Sequence, residues 1–478
     1  MFDPDIAPSG TLLGLLQRGR GDGTLHALAE QRGEALAALE QCVLSDPRRD
    51  WQVESRSLYY ARLYSELEGG LEGIEQHLFH PDDLLDTEEQ RTGLALSVLG
   101  HLAGYGRRDA LRLLREYAAR GANWNWALDE LALRDDDAGL TALAPAILGR
   151  FPRGAQGDAA LARALREAYE PRPWRLWAED PVHGARVRAA QEQGSFDRWQ
   201  RQLRPAGPAP GWSVRDVLEW AQQGLDSVPA QHRDAPAARC LAAVAGPEDR
   251  AELLRAARRG PEAARAAALR HLAGRQDPDA LGLIEAAAGD PSPVVSRAAL
   301  ESFTRMRSAA AVERARRWAE REDELGTAAA QMLAVLGTAE DASRVLAALR
   351  RTVRISGAAA EGLAVLVEGA GRLSIGCAAP VVRHVYRETP SSHLRGCAAR
   401  TLAVIDPSFA DGFAIECLWD CEESTRELAA RHAATGDVRV LAQLRRLAAD
   451  PAEEADVQSA VRGRLSTTSA SVVRQRSA

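Results

Sequence analysis

The sequence contains no lysine: all 60 basic side chains are arginine. A Schiff-base lysine, a P-loop GK(S/T) and a kinase-type ATP lysine are therefore excluded, together with the enzyme classes that need them. Cysteine is scarce, six in 478 residues, which fits free thiols in a reducing cytoplasm better than a disulfide framework. No run approaches the roughly 20 apolar residues of a membrane span. The opening stretch MFDPDIAPSGTLLGLLQRGRG has no basic region before its short apolar run, so it reads as a poor signal peptide. A cytoplasmic protein without membrane contact is expected. Neither G-x-S-x-G nor HExxH occurs. No catalytic, cofactor-binding or metal residue is assigned from the sequence, and a non-enzymatic role is expected. Sustained period-2 alternation is also missing, which predicts almost no strand.

What the chain has is repetition. RGCAARTLAVID at 395–406 aligns with RELAARHAATGD at 426–437 at an offset of 31 residues, matching Arg395 with Arg426, Ala398 with Ala429 and Asp406 with Asp437. A large apolar residue recurs at Leu272, Phe303, Leu333, Leu363, Leu402, Ala433 (the weakest) and Leu465, with steps of 31, 30, 30, 39, 31 and 32. Four residues before each stands Ala268, Ala299, Ala329, Ala359, Ala398, Ala429 or Val461, and Ala237 with Leu241 extends both columns upstream. Positions i and i+4 share a helix face, where the small residue admits a neighbouring helix and the large one fills the space beside it. Turn signals such as GRQDPD, GDPSP, IDPS and TGD separate these helices from others such as DALGLIEAAAG at 279–289. Each copy therefore reads as a helix–turn–helix that buries its apolar face only by stacking on its neighbours, an all-α solenoid.

The segments DPSPVVSRAALESF at 290–303 and TPSSHLRGCAARTL at 389–402 resemble the second helix of a HEAT repeat, and the resemblance covers about 230–465. It implies an armadillo-type superhelix with an Asp–Arg ladder between repeats. Arg265, Arg395 and Arg426 hold the arginine position, whereas Ser296, Gly326, Ser356 and Gln458 do not, so imperfect stacking is expected. A longer loop or an extra turn is expected around EGAGRLSIG, to account for the 39-residue step. Residues 1–170 read as degenerate repeats of the same kind, 171–225 as a Trp/Pro-rich joint or insertion, 226–465 as the regular repeats and 466–478 as a disordered tail.

Seven of the ten tryptophans fall between 124 and 220, a local enrichment that needs an explanation: Trp124, Trp126, Trp174, Trp177, Trp199, Trp212 and Trp220. Trp124 and Trp126 are two apart, so on a helix they point about 200° apart and cannot share one core. Tryptophan beside arginine is a common makeup of binding hot spots. Trp124, Trp126, Trp174 and Trp177 are therefore the candidate partner-binding residues, against the plainer reading that they fill irregular packing. His77 and His80 with Asp82 or Asp83, and Cys417 with Cys421, have spacings seen in metal sites but lack further ligands. RGRGDG at 18–23 lacks the GxGxxG register and reads as a flexible inter-helix turn.

The net charge of −7 and the mixed-sign run VERARRWAEREDE at 312–324 argue against a basic nucleic-acid groove. An array of this kind presents extended surface to a macromolecule. The expected function is a scaffold or adaptor for a protein partner. The alternatives are nucleic-acid binding of the HEAT-like DNA glycosylase type, for which WALD at 126–129 is a weak pointer, and a HEAT-like lyase or chaperone for a cofactor-bearing protein, which rests on the resemblance alone.

Overall fold

A computed structural model describes residues 6–48, 56–203 and 211–476, the side chains of 89, 194–203 and 468–476 excepted. Among them the chain forms 29 α-helices and no strand, an all-α fold. It divides into two compact units. The first comprises residues 1–203, 387–399 and 407–478; the second comprises 204–386 and 400–406.

In the second unit, amphipathic helices alternate with helices that are buried nearly all round. Arg250–Arg259 buries Leu253, Leu254 and Ala257 on one face, carries Arg258 and Arg259 in its last turn, and stops at Gly260 before Pro261. The next helix, Glu262–Gly274, buries Ala263, Ala264, Ala266, Ala267, Ala268, Leu269 and Leu272. Helices Asp234–Val244, Glu262–Gly274, Pro293–Arg305, Glu324–Leu336 and Leu363–Arg372 pack each upon the next. Alanine faces allow this, because interaxial distance is set by the side chains at the contact.

Most of the periodic column is buried as expected: Ala237, Leu241, Ala268, Leu272, Ala299, Phe303, Ala329 and Leu333 all lie in the core. Leu465 is half-buried, and Ala359 departs altogether. It is exposed in the turn between helices Ala342–Ser356 and Leu363–Arg372, and Leu363 opens a helix instead of closing one. Gly369 takes the close-approach position, since a Cβ there would lie 2.3 Å from the Ala334 Cβ. With Gly369 in the small-residue position, the long interval falls between Ala329 and Gly369 and is taken up by the 15-residue helix Ala342–Ser356 and the turn after it. Of EGAGRLSIG, EGAGR at 368–372 closes helix Leu363–Arg372 and a short turn follows at 373–375.

Acidic residues at the turns tie one hairpin to the previous one. Asp290 and Asp341 each accept a backbone N–H of their own turn, from Ser292 at 3.0 Å and Thr338 at 2.9 Å. Asp290 also pairs with Arg265, Asp341 with Arg316 at 3.0 Å, and Asp406 with Arg383 at 2.6 Å. The ladder is thus supplied by arginines from more than one helix position.

In the first unit, helix Arg56–Glu66 packs on Glu89–Gly104, which packs in turn on Arg108–Arg120 and Trp124–Arg134. The same unit brings the two ends of the chain together, which a strictly neighbour-to-neighbour array would not do. The Cys421 N–H donates to the Gly19 carbonyl at 2.9 Å, Arg48 donates to the Pro390 carbonyl at 2.8 Å, and helix Gly21–Ala29 packs on Phe413–Cys417. Gly19 has φ +65°, and a Cβ there would lie 2.5 Å from the Cys421 Sγ, so both conformation and space call for glycine. RGRGDG is therefore a clamped turn leading into a helix rather than a loose connection. Buried ion pairs continue the ladder here: Arg395 with Asp420 at 2.7 Å and Arg426 with Glu453 at 2.7 Å. Helices Arg172–Glu179 and Gly184–Leu203 belong to this unit, while Val214–Leu225, from the same proline-rich region, belongs to the other. The final helix, Ala455–Arg476, takes in most of the segment expected to be a disordered tail.

Candidate functional site

The first unit contains a cleft of about 710 Å³. One wall is helix Arg56–Glu66, whose i, i+4 pattern turns Tyr59 and Leu63 inward; the other is helix Val438–Ala449, which supplies Gln443, Arg446 and Leu447. Trp419, half-buried, and Tyr105 complete an aromatic lining. The Tyr59 hydroxyl donates to the Arg20 carbonyl at 2.7 Å, and the Gln443 side-chain amide donates to the Leu418 carbonyl at 3.2 Å.

Most charges around the cleft are satisfied within the protein. Arg62 reaches Asp450 at 2.7 Å and Glu453 at 3.1 Å, and the Tyr105 hydroxyl donates to Asp450 at 3.1 Å. At the rim Arg446 pairs with Glu66 at 2.5 Å, joining the two walls. Asp420 is held by Arg395, and Arg107 donates to the Gly69 carbonyl at 2.7 Å while pairing with Asp109. Burial works to raise Glu453, yet the hydrogen bonds and charge of Arg426, with Arg62 behind them, hold it below the usual carboxylate range. Burial pushes the Tyr105 phenol up to about 12, so it stays a neutral donor. Burial, with Arg134 and Arg62, pulls His101 down to about 4, so it is neutral near pH 7. The cleft is therefore an aromatic, amphipathic surface with little net call for a charged guest, of a size typical for enclosing a small ligand or a few residues.

The four candidate tryptophans form a separate group in the same unit. Trp174 is 3% and Trp177 0% exposed. The Trp177 indole N–H donates to the Leu140 carbonyl at 2.9 Å, and the two rings meet edge-on at 4.9 Å. Trp177 is thus a core residue with its one donor satisfied. Trp126 is half-buried and donates to the Ser97 hydroxyl at 2.9 Å; that hydroxyl donates to Glu130 at 2.9 Å. Trp124, also half-buried, packs edge-on against Trp174 at 6.3 Å and Phe151 at 5.9 Å. As the spacing required, Trp124 and Trp126 face different neighbours. Trp124 and Trp174 line a small pocket of about 190 Å³ with Asn125, Asp129 and Glu167. The side chain of Trp199 lies outside those described. Trp212 and Trp220 pack together in the second unit at 6.2 Å, with Arg233 over the Trp220 ring.

The metal-like spacings resolve into ordinary contacts. His77 is 3.3 Å from Asp83 and donates to the Arg91 carbonyl at 2.6 Å, and Asp83 also pairs with Arg91. His80 lies 3.7 Å from Asp82. Cys417 and Cys421 are both buried. Among the described residues no group of three or more potential ligands comes together, and no helix is long and apolar enough to cross a membrane.

No family model matches the chain, and no curated protein is similar to it in sequence.

Proposed function

We propose that the protein is a non-enzymatic adaptor of the HEAT-like helical-repeat kind, acting in the cytoplasm, and that it holds an uncharged, apolar or aromatic segment of a protein partner in the cleft of its first unit. One observation carries this reading: an open concavity of about 710 Å³ lined by Tyr59, Tyr105, Trp419 and Leu447, around which the arginines and most carboxylates already have internal partners. Aromatic anchors with desolvated, pre-paired charges are the makeup of a binding hot spot. Nucleic acid is the weaker reading for this surface, because Arg62, Arg107 and Arg446 each face a carboxylate and leave no net basic track.

With no lysine side chain to receive an amine-directed crosslinker, the test places the reactive group at a chosen position. A photocrosslinking amino acid at exposed Ser65, on the cleft lining, should capture a discrete protein in extracts of the native cell. Trp419→Ala should abolish that adduct with helicity unchanged. An adduct pattern indifferent to Trp419, or dominated by nucleic acid, would refute the reading.

A further inference from the structure

The smaller pocket differs in chemistry from the cleft. It is walled by Trp124 and Trp174, floored by Leu128, Ala164 and Ala168, and edged by Asn125, Asp129 and Glu167. Its volume of about 190 Å³ is below the ~300 Å³ at which sites for whole small molecules begin, so it suits one side chain. Elsewhere in this unit carboxylates are commonly matched to arginine, as at Asp135, Asp420 and Glu453. Asp129 and Glu167 form no ion pair among the described residues. The Asp129 carboxylate is half-buried, and burial raises it above the usual range. It is fixed by the backbone N–H of Glu170 at 3.0 Å, with that of Tyr169 also facing it. The rim is open to solvent, since Tyr169, next to the lining residue Ala168, is 82% exposed. Glu170 adds a third negative charge nearby. Arg150 lies over the Trp124 ring at 5.8 Å and donates to the Ala118 and Ala119 carbonyls at 3.3 and 2.9 Å. It makes no ion pair with Asp129 or Glu167.

We propose that this pocket receives the ammonium group of a lysine side chain presented by a protein partner. Indole rings attract a cation placed near their faces, and two anions without an internal counter-ion complete the cage. An ammonium fits better than a guanidinium. Asp129 Oδ1 is committed to the Glu170 N–H, which removes the two-oxygen fork that arginine prefers. The guest also comes from another protein, since a second copy of this chain has no lysine to offer. The inference rests on the reading of the protein as a partner-binding adaptor, but it concerns a different surface and is measured without the partner.

The probe is N-acetyl-lysine methylamide, titrated into the full chain carrying 5-fluorotryptophan and followed by fluorine NMR. Single Trp→Phe variants assign the signals. The Trp124 and Trp174 resonances should move while those of Trp126 and Trp419 stay still. The norleucine analogue should leave all four in place. Asp129→Asn and the rim variant Glu167→Gln should each weaken the probe by about three- to ten-fold. The second variant, on an exposed side chain, keeps the test valid if the first unfolds. A response to norleucine equal to that for lysine, a stronger response to the arginine analogue, or no response would overturn the proposal. Tighter binding of butylammonium than of the lysine derivative would overturn the protein-lysine source in favour of a free amine. Trp419→Ala should leave the lysine response intact while removing partner capture, so the two readings fail separately.

Discussion

Replacing Arg426 by methionine tests the account of how the C-terminal helices of the first unit are held together. The Arg426 side chain is 2% exposed and its partner Glu453 is 0% exposed. Its guanidinium makes two bonds to the Glu453 carboxylate, at 2.9 and 2.7 Å, and one each to the carbonyls of Asp420 and Cys421, at 2.8 and 2.7 Å. Methionine keeps much of the volume and removes all four. Four bonds at about 1 kcal/mol net each give roughly 4 kcal/mol. The cost of stranding one member of a buried pair, about 3–5 kcal/mol, points to the same size. Thermal and urea unfolding should therefore show the transition of the first unit lowered by roughly 8–15 °C. Arg426→Lys should fall between the two, since an ammonium cannot span the same four acceptors. The pH dependence has a definite sign. The folded pKa of Glu453 is depressed, so its contribution is present above the ordinary glutamate value and is lost as pH falls through the folded value. The difference between wild type and Arg426→Met should accordingly shrink on acidification. A penalty below about 1 kcal/mol, or one that grows toward acid pH, would refute the reasoning.

Other outcomes follow from single contacts. Gly21→Ala should destabilise the first unit by about 1–3 kcal/mol in urea unfolding, because a Cβ would lie 1.8 Å from the backbone oxygen of Glu416 and backbone must move. His101 is held neutral with its pKa near 4, so stability should fall between about pH 6.5 and 4, by at most about 3 kcal/mol, and His101→Gln should flatten that slope in pH-resolved melting. Trp177→Phe removes the bond to the Leu140 carbonyl and the indole's bulk in a fully buried site; unfolding should register a loss of about 1–3 kcal/mol, with no direct effect on partner contact.

The all-α class was legible from periodicity, and so was most of the buried column. Ala299 and Ala329 are in the core because a small residue four before a large one repeats where helices must touch. The column failed at Ala359 because spacing alone does not distinguish a helix position from a turn: the helix before it runs to Ser356, and Gly369 serves the close approach instead. The arginine ladder was partly visible, at Arg265, Arg395 and Arg426. Arg316 and Arg383 were hidden because they reach their aspartates from other helix positions. The cleft was not legible. Its walls are separated by almost four hundred residues, and the pairing of Arg62 with Asp450 leaves no mark in local pattern. Tyr59, Tyr60 and Tyr64 within six residues were the signal available in the sequence, as was Trp419, set in CLWDC between two cysteines that drew attention to metal instead. The tryptophan enrichment was visible, but whether a ring faces the core, as Trp177 does, or lines a pocket, as Trp124 does, depends on neighbours from other helices.

The most direct measurement of the central claim is the affinity of the captured partner for Trp419→Ala beside Val438→Ala, a control at a side chain that is 76% exposed and outside the cleft lining. Loss of an aromatic anchor costs about 2 kcal/mol or more. Titration calorimetry should therefore show Kd raised at least about thirty-fold for Trp419→Ala and unchanged for Val438→Ala. Equal affinities for the two variants would contradict the assignment of the cleft as the partner-binding site.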